Sequence, residues 1–345
     1  MTYSTFWESL RDLKPSPPSF LPKDYPDLTG KNVFITGTSA GVGYQAAKLL
    51  LEKNATVVMF NRNKKKTDDA IAKIKEDLIK EDTSAKFTDE LLTGRIVSIN
   101  GDLSDLSTIK PAIDQFKTEY KDKITHFDIV IFNAGVMQPP NGSSTKQGYE
   151  LQFGTNVIGH QLVANLINDL ILNTTKVHPG SNPRVIWLSS LAHSFSPSAT
   201  NVPHSAGLTW DFKDSSKSKE ITIYGQSKAG NVYQAARYGQ LHKKDGIISL
   251  AVHPGLLNSE LARHYPSFMN YIASKISFHP IYGAYTELYA ALSDDVKLDG
   301  SYSPGNYYGP WGEKRPLRPD IDAGRTDGTA EKLWNYVQDE LKEYL

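Results

Sequence analysis

Tyr224 and Lys228 stand four residues apart in the run Tyr224-Gly225-Gln226-Ser227-Lys228. On a helix that spacing puts both side chains on one face, a turn apart. A free tyrosine hydroxyl has a pKa of about 10, too high for efficient proton donation near neutrality. A nearby cation favours the phenolate and lowers that value. The pair could therefore protonate an oxygen on which negative charge develops, as when a hydride reaches a carbonyl. Ser190 ends an apolar run and offers a hydroxyl to the same oxygen. The bland alternatives are a solvated helix pair for Tyr224 and Lys228 and a strand-end cap for Ser190.

A second group is Thr36-Gly37-Thr38-Ser39-Ala40-Gly41-Val42-Gly43, which follows an apolar run and opens an amphipathic one. Glycines let a backbone approach a pyrophosphate, and a helix N-terminus offers unpaired N–H groups and a positive dipole end. Three glycines can also simply make a tight turn, but a strand before and a helix after favour the dinucleotide.

Positioning these residues requires a repeating scaffold. Short β-rich runs recur at Val33-Phe34-Ile35, Val57 to Phe60, Ile96 to Ile99, Ile129 to Phe132, Val185 to Leu188 and Ile248 to Val252. Near-continuous apolar runs suit parallel strands buried on both faces. Helical patterns lie between them: Val42, Ala46, Leu49 and Leu50 share one face, and Leu151, Ile158, Leu162 and Leu166 another. The alternation predicts an α/β, doubly wound parallel sheet of about seven strands with helices on both faces. One domain over residues 29–345 is expected, behind an arm and extended linker over 1–28.

Composition narrows the classes. The chain has 345 residues, 38 basic against 38 acidic side chains, and no cysteine. Zero net charge argues against nucleic-acid binding, and the lack of cysteine removes thiolate metal sites and cysteine nucleophiles. No His/Asp/Glu group has metal-ligand spacing, so no metal is expected. Ser190 lacks the flanking glycines of a hydrolase elbow. No apolar run is long enough for a spanning helix, and no secretory signal is read, so Asn54, Asn141 and Asn173 carry no weight as glycosylation sites. A cytoplasmic location is expected. Phe6, Trp7, Leu10 and Leu13 read as an arm packed on its own domain, with a peripheral lipid anchor as the alternative.

Thr36 to Gly43 resembles the TGxxxGxG motif of the short-chain dehydrogenase/reductase family. Asn133-Ala134-Gly135 is similar to the family's NAG motif, and Asp102-Leu103 follows the third strand where the family sets an acid against the adenine. Asn156 falls in the long helix after strand four, Ser190 ends strand five, and Tyr224 and Lys228 form Y-x-x-x-K. His253-Pro254-Gly255 is like the family's PG turn near the nicotinamide, with Ser259 at a phosphate-side hydroxyl position. These motifs run in family order over residues 31–260, about two thirds of the chain. Gly305 to Gly312 also resembles the seventh strand of retinol-dehydrogenase-like and fungal members.

The resemblance implies a Rossmann-type fold and a catalytic set of Asn156, Ser190, Tyr224 and Lys228. In it Asn156 holds a proton-relaying water and Lys228 also grips the ribose hydroxyls. It implies cofactor contacts from Gly37, Ser39, Gly41, Val42 and Gly43, from Asn61 and Arg62, and from Asp102 and Leu103. Asn133, Ala134 and Gly135 join them, as do Tyr224 and Lys228, and finally Pro254, Gly255, Leu257 and Ser259. NAD enzymes usually end strand two with an acid that grips the ribose 2′-OH. Here Phe60-Asn61-Arg62-Asn63 has none, and Arg62, with Lys64 beside it, can pair a 2′-phosphate. NADP(H) is therefore expected, although Ser39-Ala40 stand where many NADP-dependent relatives carry a basic residue.

Segments 191–221 and 256–280 are read as covering the substrate. The first holds Pro197, Pro203 and Trp210; the second His264, Tyr265, Phe268, Tyr271 and Phe278. Their aromatics suggest a bulky, apolar carbonyl or alcohol. His193 reads as an ordinary loop histidine, with the substrate entrance as the alternative. Many relatives dimerise through the helices bearing Asn156 and Tyr224, a face the long insertion could obstruct, so monomer and homodimer both stand. The expected activity is reversible NADPH-dependent reduction of an aldehyde or ketone. A dinucleotide-binding regulator with little turnover is the rival, and glycine spacing disfavours an epimerase.

Overall fold

A computed structural model describes residues 11–198, 205–213, 220–258 and 277–345. Eight strands form one sheet in the order β3-β2-β1-β4-β5-β6-β7-β8. They are β1 (Asn32–Thr36), β2 (Thr56–Asn61), β3 (Ile96–Asn100), β4 (Ile129–Phe132), β5 (Arg184–Leu188), β6 (Ile248–Val252), β7 (Asn306–Gly309) and β8 (Glu313–Lys314). All pair in parallel except β8, which returns antiparallel against β7. This eighth strand departs from the expectation of about seven. At two residues it is too short to leave a periodic signal, and Gly312, at φ +100°, supplies the turn into it.

Side chains alternate between the two faces of each strand. Phe34, Val58, Phe132 and Trp187 enter one core; Val33, Ile35, Val57 and Met59 enter the other. Full burial of a side chain such as Phe34 or Phe132 contributes about 2–3 kcal/mol. Both cores need covering helices, which explains why the strands read as continuous apolar runs. The second core is covered by α1 (Gly41–Glu52), α2 (Lys64–Glu81), α3 (Asp89–Arg95) and α7 (Pro280–Leu292). The first is covered by α4 (Ile109–Tyr120), α5 (His160–Val177) and α6 (Glu220–Leu241), with α8 (Pro319–Gly324) and α9 (Thr329–Glu340) outside them.

The chain approaches α5 irregularly. Glu150 caps a short turn, Leu151–Phe153, by accepting from Gln152 N and Phe153 N. A π-helical turn follows at Gly154–Gly159, and then α5 proper. Such wide turns displace side chains from regular helical register and recur at functional sites. Here the displaced residue is Asn156. Strand order reverses between β1 and β4, and the crevice beyond the carboxyl ends of those strands is where open α/β sheets bind ligands.

Candidate active site

The glycine turn leaves β1 and enters α1. Gly37 and Gly41 have φ near +75° and +64°, which side-chain-bearing residues rarely adopt. A Cβ on Gly37 would lie 2.8 Å from Ala134 Cα, and one on Gly43 would collide with Asn133 Nδ2 and Gly37 O. The turn is therefore pressed against Asn133-Ala134-Gly135 at the end of β4. Asn133 Nδ2 donates to Thr36 O and Gly37 O at 2.8 and 3.0 Å, and Ala134 N donates to Thr36 Oγ1 at 2.9 Å. The residue before α1 is Ala40, whose side chain cannot cap it. The first-turn N–H groups of α1 therefore have no side-chain cap, as an anion-binding helix terminus requires. The donor set and the glycine cradle fit a dinucleotide pyrophosphate.

His160, which sequence reasoning missed, ties this turn to the other motifs. Its Nδ1–H donates to Asn156 O at 3.0 Å, and its Nε2 accepts from Thr36 Oγ1 at 3.0 Å. Burial pushes the imidazole down from 6.5 to about 3, so it stays neutral and keeps that tautomer. The available signal was a histidine four residues beyond Asn156, one helical turn on.

Asn156 is wholly buried. Its carboxamide accepts from Val136 N at 2.9 Å and donates to Val136 O and Ser227 Oγ, while its backbone carbonyl takes Asn231 Nδ2. Tyr224 and Lys228 lie on α6, which is buried on nearly every side, so they are not a solvated pair: they are 7% and 3% exposed. Lys228 Nζ sits 5.7 Å from the centre of the Tyr224 ring and donates to Leu188 O at 2.7 Å and Asn231 Oδ1 at 3.2 Å. Burial pushes its ammonium down to about 7. A Cβ on Gly135 would come within 3.2 Å of Asn156 Oδ1 and 3.7 Å of Lys228 Nζ. The three motifs therefore meet at one point.

Ser190 caps the short helix Leu191–Phe195 by accepting from Ala192 N at 3.1 Å, as the bland reading has it, and this leaves its O–H as a donor. Gly225, next to Tyr224, allows α6 to approach this loop: its Cβ would lie 2.7 Å from Ser196 N. His193 neither lines an entrance nor sits in an open loop. It is buried, donates from Nδ1 to Ser190 O at 2.7 Å and takes Arg318 N on Nε2; burial pushes it down to about 4.

Other expected positions differ in detail. Asn61 is turned back onto the glycine turn, accepting from Thr38 N at 2.7 Å and donating to Thr38 Oγ1 at 2.8 Å. It therefore shapes the turn rather than reaching outward. Arg62 is exposed and makes no ion pair among the described residues, whereas Lys64 pairs with Asp68 at 2.7 Å. Asp102 closes its own turn through Oδ1 to Ser104 N and Oγ. Leu103 packs under Gly159. Gly255, at φ +90°, faces Trp311. Leu257 and Pro254 pack against Gly283 of α7, beside Val42 of the glycine turn. Ser259, Pro203, His264, Tyr265, Phe268 and Tyr271 lie outside the described residues, as do Phe6, Trp7 and Leu10. Trp210, half-buried, packs with Phe212, which stacks on Phe153 at 3.8 Å between ring centres. Phe278 packs against Trp311.

The fold also assembles a group that sequence spacing does not reveal. His126, Asp128 and His178 converge at the amino ends of the strands, far from the glycine turn. Asp128 already accepts from Asn32 N and Lys31 Nζ, both at 2.9 Å. Burial alone would raise its carboxyl, but His126, Asn32 N–H and Lys31 together hold it below the usual range. These contacts satisfy the carboxylate without an ion. Among the described residues, no helix is long and apolar enough to cross a membrane.

Comparisons agree with the geometry. Residues 31–207 match the family model described as short chain dehydrogenase. A short-chain dehydrogenase/reductase of Phomopsis amygdali is 34% identical, the alignment covering 96% of this chain and 95% of that protein. The short-chain dehydrogenase/reductase pkfC of Emericella nidulans is 35% identical over 95% and 98% of the two chains. The Pseudomonas aeruginosa RhlG/NADP active-site complex shares the fold at a TM-score of 0.59, with 20% identity, covering 84% of this chain and 97% of that one. With near full-length kinship added to a glycine turn, an NAG strand end and a buried Tyr-Lys pair that meet in one crevice, the chain belongs to the short-chain dehydrogenase/reductase family, whose members are oxidoreductases that use a nicotinamide cofactor.

Proposed function

We propose that this oxidoreductase reduces an aldehyde or ketone to an alcohol with NADPH, reversibly. The observation that carries the reading is the convergence of Gly135, Asn156 Oδ1 and Lys228 Nζ beside a buried Tyr224. A bound nicotinamide dinucleotide supplies the hydride. The α1 N-terminus and the glycine turn would hold its pyrophosphate, and Lys228 its ribose hydroxyls. Tyr224 gives its phenolic proton to the oxygen that becomes the alcohol, and the Ser190 hydroxyl donates a hydrogen bond to that oxygen. Burial pushes the Lys228 ammonium down to about 7, which brings its proton within reach of exchange near neutrality. Asn156 positions the relay beside it.

The preference for NADPH rests on charge. β2 ends without an acid, and among the described residues no carboxylate pairs with Arg62. Lys64, Lys65 and Lys66 crowd the first turn of α2, where the helix dipole disfavours cations. Lys64 and Lys65 already pair with Asp68 and Asp69 at 2.7 and 2.6 Å, which leaves Arg62 as the side chain to meet a 2′-phosphate. The test is nicotinamide absorbance with purified protein across a panel of aldehydes and ketones. Turnover with NADPH preferred over NADH supports the proposal. Tight NADPH binding with no turnover across the panel would favour a regulatory protein instead.

A further inference from the structure

The residues ahead of β1 are not a simple linker. Tyr25 and Leu28 are buried in the core beneath the sheet, and Phe20 packs edge-on against Tyr289 of α7. Further upstream, Asp12 is only 2% exposed. Its Oδ2 lies 2.6 Å from Nε2 of His253, which is 3% exposed, and its Oδ1 lies 3.7 Å from Arg315. Arg315 also pairs with Glu313 at 3.2 Å, and Glu313 pairs with Arg11 at 3.0 Å. The arm is thus held through two adjacent residues to two different parts of the sheet's far edge.

His253 opens the turn His253-Pro254-Gly255 at the carboxyl end of β6. Its backbone N–H donates to Tyr308 O at 2.8 Å, and its Nδ1 faces Gly255 N at 3.4 Å. A ring that accepts on Nδ1 carries its proton on Nε2 and donates it to Asp12. Asp12 therefore fixes both the tautomer and the rotation of the ring, and the ring in turn braces the backbone of the turn. Trp311 holds the other side of Gly255. An apolar contact would anchor an arm as well and would avoid dehydrating a carboxylate. A buried hydrogen-bonded charge adds direction, which matters where backbone placement sets the geometry of a reaction.

We propose that Asp12 is a positioning residue of the active site: the N-terminal arm reaches across the sheet edge and, through His253, sets the turn that borders the nicotinamide. This rests on the proposed reading of that turn as cofactor-facing. It makes the arm part of the cofactor site, although it lies some 240 residues away in sequence.

The test compares Asp12→Ala and Asp12→Asn with wild type in the full chain. The readouts are NADPH affinity by fluorescence titration, kcat and KM for NADPH, and melting temperature. The proposal expects Asp12→Ala, measured well below its melting temperature, to lose about ten- to a hundredfold in kcat/KM for NADPH. Asp12→Asn, which keeps an accepting oxygen, should fall between. If both folded variants bind NADPH and turn over as wild type does, with only the melting temperature lowered, Asp12 is a structural anchor and the proposal is overturned. Should Asp12→Ala not fold, Asp12→Asn carries the same comparison. A wild-type chain that binds no NADPH overturns the underlying reading, and this proposal with it; a defect confined to the variants cannot be mistaken for that result.

Discussion

His160 links the glycine turn to Asn156, and its burial has a measurable consequence. The imidazole is pushed from 6.5 down to about 3 in the folded chain. As pH falls below 6.5 the unfolded chain takes up a proton that the folded chain refuses. The stability contributed by keeping His160 neutral is therefore whole well above 6.5 and drains as pH falls from 6.5 toward 3. Between about pH 8 and about pH 5 the loss from this one group comes to about 2 kcal/mol. His160→Gln can still donate to Asn156 O and accept from Thr36 Oγ1 but cannot titrate. Urea unfolding of both proteins at the two pH values, followed by tryptophan fluorescence, isolates the difference, because His193 and every other titrating group are common to both. Wild type should lose about 2 kcal/mol more than His160→Gln over that interval. Equal losses would refute the reasoning.

Three further outcomes follow from the same geometry. Arg62→Ala should raise KM for NADPH about ten- to a hundredfold, the loss of a charge-assisted contact, and leave KM for NADH nearly unchanged; an unchanged NADPH/NADH preference would remove Arg62 from the cofactor argument. Gly225→Val should force α6 away from the Ser190 loop, costing about 1–3 kcal/mol in denaturant unfolding and lowering turnover by more than the folded fraction explains; wild-type turnover would show that this spacing is not critical. The faces of α5 and α6 are covered by the chain's own α9, through Gln161 to Trp334 O at 3.0 Å, Asn165 to Gln338 at 2.8 Å and the Arg237–Glu331 pair. Light scattering after gel filtration should therefore give the mass of one chain, and a stable dimer through that face would contradict the packing.

What could be read in the sequence was local. β1, β2, β4 and β6 announce themselves as apolar runs because parallel strands are buried on both faces, and the glycine turn and the Tyr224–Lys228 spacing are contiguous. What could not be read depends on partners far apart. Nothing near Asp12 signals that His253 lies above it, and nothing in Thr36 signals His160. Within the π-turn that carries Asn156, Gly154 packs on Thr145 and Gly159 on Leu103, contacts no periodicity contains. Trp210 reads with the substrate-covering segment because an aromatic residue in a loop carries the same signal whether it faces substrate or core, and its packing on Phe212 is not written in the local sequence. The position of Asn61 at the end of β2 is legible in the sequence, and its hydrogen bonds to Thr38 across the glycine turn are not.

The central claim is that Tyr224 supplies a proton while NADPH supplies a hydride. Label transfer from C4-deuterated NADPH to a carbonyl substrate, measured for wild type and Tyr224→Phe, tests it most directly. Wild type should yield deuterated alcohol, and Tyr224→Phe should bind NADPH as tightly yet transfer label about a hundred- to ten-thousandfold more slowly. Transfer at the wild-type rate by Tyr224→Phe, or no transfer by a wild type that binds NADPH tightly, would contradict it.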